Sequence, residues 1–99
     1  MTYIIFSVPN ENKNKMKEVL KDDIISRQSI TTRDANALDI KKEVQFVLIE
    51  GNENALERAK EMFKDISTIE EGDTAEEIYK KFKEDEVGAA ESVGFIFGD

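Results

Sequence analysis

The sequence predicts an α+β fold of the ferredoxin-like kind, a split βαβ repeat on an antiparallel sheet with strand order 4-1-3-2. Three observations predict it. Residues 2–8 (TYIIFSV) and 43–50 (EVQFVLIE) are apolar on both alternating sets of positions, as strands in the middle of a sheet must be. Residues 24–32 (IISRQSITT) are β-prone but largely polar, which suits an edge strand with one solvated flank. Helical spacings at 10–22 and 52–66 separate these strands in the order the repeat requires.

Taken in order, the first strand carries Tyr3 and Ile5 on one face and Ile4, Phe6 and Val8 on the other, and Pro9 closes it. Asn10 is a good N-cap for a first helix running to about Asp22, with Met16, Val19 and Leu20 as its apolar stripe and lysines on the outside. After the edge strand, residues 33–42 (RDANALDIKK) have turn-formers and no clear period, and read as a loop with a short extended piece near Leu38 and Ile40. The second central strand alternates Val44, Phe46 and Leu48 against Val47 and Ile49. Asn52 then caps the most regular helix, with Leu56, Ala59, Met62, Phe63 and Ile66 at helical spacing.

A polar break (STIEEGD) follows, and an extra helix is predicted at about 73–85, before the last strand. Asp73 or Thr74 makes a capping box with Glu76 or Glu77, and Ala75, Ile78, Tyr79 and Phe82 form the stripe. Residues 92–97 (SVGFIF) read as the last strand, with Val93, Phe95 and Phe97 on one face. No repeat, linker or shift of composition divides residues 1–99, so one domain is expected.

Composition excludes several classes of chemistry. The chain of 99 residues has no cysteine and no histidine, which removes disulfides, thiol catalysis, thiolate-bound metals and the commonest general base. Its apolar fraction of 39% is too high and too regularly spaced for a disordered acidic chain. The net charge of −8 repels phosphate backbones and anionic headgroups, so neither nucleic acid nor a membrane is an expected partner. No apolar run is long enough to span a bilayer, and MTYIIFSVP has no basic region or cleavage site, so the expected compartment is the cytoplasm.

Two sets of residues are candidates for function. With helices on one side only, the other face of the sheet would expose Tyr3, Ile5, Phe46, Phe95 and Phe97, and an apolar patch of that kind marks an interface. Pairing of copies, face to face or edge to edge, is the preferred reading; the alternative is that the extra helix folds back over that face. RNA-binding modules of this fold stack bases on similar aromatics, but the basic surroundings they need are missing. The second set is Arg27, Arg33, Asp34, Asn36 and Asp39, polar side chains around the 31–42 loop, where the two arginines would hold a carboxylate or phosphate and the rest a polar metabolite. An ordinary polar loop with surface ion pairs is the competing reading.

The acids Glu70, Glu71, Asp73, Glu76 and Glu77 do not match the spacing of a calcium loop, so no metal and no cofactor are expected. No nucleophile elbow, Walker loop or dinucleotide fingerprint is present; carboxylates, lysines, serines, threonines and tyrosines remain, and a small enzyme using carboxylate chemistry is the less favoured reading. By fold alone the chain resembles small regulatory domains that bind amino acids at dimer interfaces. The expectation is therefore a non-catalytic binding or regulatory module, working as a homo-oligomer and taking a small metabolite or protein partner. The alternative is an acidic adaptor or inhibitor docking on a basic protein.

Overall fold

A computed structural model describes residues 2–84 of the chain. Four antiparallel strands form one sheet: β1 (Thr2–Pro9), β2 (Ser29–Asp34), β3 (Val44–Gly51) and β4 (Thr68–Glu70). Their order is β2-β3-β1-β4, which is 4-1-3-2 read from the other edge. β1 and β3 lie in the middle, in a register from Thr2 opposite Gly51 to Pro9 opposite Val44. Their two-sided apolar pattern is the reason: each of their faces meets a packed layer.

One layer holds α1 (Lys13–Val19) and α2 (Glu53–Phe63). Here Ile4, Phe6, Val8, Val47 and Ile49 of the sheet pack with Met16, Ile25, Leu56, Ala59 and Phe63. The Phe6 and Phe63 rings stack with centroids 4.4 Å apart. The other layer is α3, residues 72–84. Its Ile78 and Phe82 pack on Ile5, Phe46 and Leu48, with Ala35 and Leu38 closing the side.

This arrangement corrects the expected chain order in one important respect. The fourth strand is Thr68–Glu70, inside the segment read as a polar break, so α3 follows the four-strand unit instead of interrupting it. Three residues are enough because β1 offers a ready edge, Ile5 pairing with Glu70, Phe6 with Ile69 and Ser7 with Thr68. Ile69 adds a partly buried side chain to the α1/α2 layer. The strand predicted at 92–97 lies outside the described residues.

The open sheet face is likewise corrected. α3 covers it, leaving Ile5 and Phe46 essentially without solvent exposure. The interface set of Tyr3, Ile5 and Phe46 therefore lies beneath a helix of the same chain; Phe95 and Phe97 lie outside the described residues. The apolar stripe of α3 explains this: burying Ile78 and Phe82 against an apolar sheet stabilises both, by about 1.5–3 kcal/mol for each large side chain.

Local corrections have local causes. Asn10 does not cap a helix; residues Asn10–Asn12 form a 3-10 turn, the Asn10 amide donates to the Glu43 carbonyl at 3.1 Å, and α1 starts only at Lys13. α1 ends at Val19, ahead of the predicted Asp22. The edge strand is shifted to Ser29–Asp34 because Ile25–Arg27 curl into a second 3-10 turn. The predicted extended piece near Leu38 is a third such turn, Ala35–Leu38, which buries Ala35 and Leu38 and ends on Asp39 at φ 60°. Met62 stands 37% exposed, beside the stripe of α2 and not in it. Asn52 does cap α2, its Oδ1 accepting the Ala55 amide at 2.9 Å. α3 begins at a glycine, Gly72, whose φ of 62° is one that side-chain-bearing residues avoid.

Candidate functional site

The five polar residues predicted as a ligand set do not form one site in a single chain. Arg27 ends the turn before β2, exposed, with a guanidinium nitrogen 3.4 Å from Asp23. Arg33 lies near the other end of β2, where its Nη1 donates to the Thr32 carbonyl at 2.8 Å. A strand advances about 3.3 Å per residue, so the two arginines stand on the order of 20 Å apart and cannot grip one anion.

Asp34 is already occupied. Its Oδ1 accepts the Asn36 amide at 3.0 Å, which caps the 3-10 turn, and its Oδ2 accepts Gln45 Nε2 at 3.2 Å. Asn36 is exposed on that turn. Asp39 opens on a shallow groove of about 230 Å³ between the turn and α3, lined also by Ala37, Leu38, Lys81 and Glu84. The structure thus brings Asp34 and Asn36 together, sets Asp39 nearby, and separates Arg27 from all three.

Two polar clusters have no signal in the sequence. In the first, Arg58 of α2 reaches the turn after α1 and donates from Nε and Nη2 to both oxygens of Asp22, each at 2.7 Å. Asp22 Oδ2 also accepts the Ile24 and Ile25 amides at 3.1 Å, which is why the chain curls there. The Arg58 hydrogen bonds, aided by those amides, hold the Asp22 carboxyl well below the usual carboxylate range. In turn Asp22 raises the Arg58 pKa. These partners are 36 residues apart, so no spacing rule finds them.

The second cluster fastens α3. Tyr79 stacks on Tyr3 with centroids 4.1 Å apart and an interplanar angle of 17°. Its hydroxyl donates to Glu50 Oε2 at 3.1 Å, and Lys83 Nζ sits 3.0 Å from Glu50 Oε1. Lys83 also lies 5.2 Å from the Tyr79 ring centroid. Burial pushes the Tyr79 phenol up, and the Glu50 carboxylate pushes it further the same way.

A groove of about 380 Å³ opens where the start of β1, the first turns of α2 and the end of β4 meet. Ile4, Leu56 and Ile69 supply apolar walls, while Glu53, Glu57, Lys60 and Glu71 stand at its mouth. Beyond Lys60 a second groove of about 240 Å³ continues along α2 past Phe63, Lys64 and Ser67. Among the described residues, no three carboxylate, imidazole or thiolate groups converge as a metal would need. No helix among them is long and apolar enough to cross a membrane.

The chain matches no family model, no curated protein and no solved structure. Geometry and charge alone therefore speak to its function.

Proposed function

We propose that this chain is a ferredoxin-like, non-catalytic binding module that assembles edge to edge with a second copy through β2. One observation carries the reading. β2 ends the sheet, so its outer flank is unpaired among the described residues, and its central Ile30, Thr31, Thr32 and Arg33 are only half-buried. Natural edges are usually blunted by charge, proline or a bulge. In β2 the run Ser29–Thr32 has none of these; charge begins only at Arg33.

Two copies related by a two-fold axis through Thr31 would pair antiparallel and keep matching faces of both sheets aligned. Ser29 then stands opposite Arg33 of the second copy, and Arg27 opposite the turn that begins at Ala35. Such pairing reunites across the interface the polar set that one chain keeps apart: Arg27 from one copy, Asp34 and Asn36 from the other. A small anionic or polar metabolite held there would couple ligand to assembly, the usual logic of a regulatory module.

Light scattering on the eluting protein tests this, alongside Thr31→Lys. Wild type is expected to be a dimer, and the variant, with two ammonium groups set opposite one another, a folded monomer. A wild type that stays monomeric as its concentration rises would sink the proposal.

A further inference from the structure

The groove between α2 and β4 has three features that belong to different parts of the chain and point to one kind of occupant. Its walls are apolar, from Ile4, Leu56 and Ile69. Its mouth is acidic. Among the described residues the Glu53 and Glu71 carboxylates have no hydrogen-bond or ion-pair partner, whereas Glu57 is taken up by Lys60 at 3.2 Å. Pairing Lys60 with Glu57 neutralises that cation and leaves two uncompensated carboxylates facing the opening. Finally, the groove runs beside a sheet edge: β4 pairs only with β1 among the described residues, so its outer backbone groups are open to another strand.

We propose that this groove docks an extended, cationic segment of a partner protein, which adds as a strand to the outer edge of β4. Strand addition supplies main-chain hydrogen bonds, and alternate side chains of the segment supply selectivity. An aliphatic side chain enters between Leu56 and Ile69, and an ammonium or guanidinium two residues along, on the same face of the added strand, meets Glu53 and Glu71. A net charge of −8 favours the encounter at long range and disfavours acidic segments. The volume, about 380 Å³, is near the low end of pockets that enclose a ligand, which fits a few side chains and no larger body. This inference stands whether or not copies pair through β2, since the two edges lie on opposite sides of the sheet.

The test is an amide NMR titration of the full chain with a synthetic peptide of the repeat Val-Thr-Lys-Thr, which sets valine and lysine in turn on one face of a strand, at physiological ionic strength. Saturable shifts confined to residues 53–60 and 68–71 are expected. Glu53→Gln with Glu71→Gln should weaken binding about two- to thirtyfold, the worth of two exposed charge pairs. Glu76→Gln with Glu77→Gln, equal in charge change but placed on α3, should leave it unaltered. Four outcomes overturn the proposal: no saturable shifts, equal binding of the same peptide with glutamate in place of lysine, the same shifts from spermidine alone, or equal weakening by both double variants.

Discussion

The two faces of the sheet are both buried, yet they are closed by different means. The α1/α2 face is closed by hydrocarbon: Ile4, Phe6, Val8, Val47 and Ile49 meet Met16, Leu56, Ala59 and Phe63, and the Asp22–Arg58 ion pair is not part of that cluster. Among the described residues the α3 face has a smaller apolar centre and a polar fastening on its rim, where Tyr79 and Lys83 both reach Glu50. Helices of the first face stand between strands, and their course is fixed at both ends by the sheet. α3 comes after β4, and among the described residues a strand adjoins only its first end. What closes a sheet face thus depends on how the chain arrives there.

The comparison is broken most forcefully by removing the ring at the centre of each layer. Phe63 and Phe82 are both almost wholly buried. Truncation of either to alanine is expected to cost about 3–5 kcal/mol, measured as the shift of a urea unfolding transition. If α3 were a loose cover, Phe82→Ala would cost far less than Phe63→Ala and would leave one cooperative transition for the remainder. Equal losses with a single transition mean that α3 belongs to the same cooperative core. With the sheet uncovered, Phe82→Ala should also bind a hydrophobic dye more than Phe63→Ala does.

Next in size is the acid limit, which belongs to the α1/α2 side. Arg58 lowers the Asp22 pKa in the folded chain, so the pair stabilises the fold above the ordinary aspartate pKa, near 3.8, and loses that contribution as the pH falls below it. Asp22→Asn should therefore be less stable at neutral pH and lose less stability on acidification. Urea midpoints at pH 7 and pH 3 for both proteins check the sign. Parallel losses in the two proteins would mean that the bidentate pair contributes nothing.

Much of this architecture was legible in the sequence, and the missed parts share a cause. The pattern of Tyr3, Ile5, Phe46 and Leu48 against Ile4, Phe6, Val47 and Ile49 gave the two central strands and their faces, because a period of two survives any detail of the neighbours. β4 escaped because three residues carry no period, and Thr68 and Ile69 become a strand only when β1 offers its edge. The covering of the second face was legible only as the alternative to pairing of copies, for a related reason: an amphipathic stripe on α3 says that a helix packs, without saying on what. The ligand set failed on distance, since Arg27 and Arg33 are close in sequence but an extended strand keeps them apart. Asp22–Arg58 and Glu50–Lys83 were invisible because each partner reads locally as an ordinary surface charge.

A smaller effect is expected at the fastening of the α3 face. Glu50→Gln keeps the shape and an acceptor for the Tyr79 hydroxyl but removes the charge that Lys83 meets. Lys83 is partly exposed while Glu50 is nearly covered, so screening limits the loss to about 1 kcal/mol. A loss as large as that of Phe82→Ala would show that the polar rim, and not the apolar centre, holds α3.

The smallest expected effect is the alkaline limit, and it belongs to the α3 side alone. Burial and Glu50 raise the Tyr79 pKa above its ordinary value of 10.0. A raised pKa means that the fold favours the neutral phenol. The contribution is complete below pH 10 and is lost as the pH rises through the folded-state value. Lysines also titrate there, so the comparison must be with Tyr79→Phe, in which their contribution is unchanged. The chain has two tyrosines, and the difference between the phenolate absorbance titrations of the two proteins isolates Tyr79. That difference should rise above pH 10, and the wild type should lose stability there more steeply than the variant. A Tyr79 that titrates at its ordinary value would mean that the ring is wet and that the α3 face opens where the α1/α2 face does not.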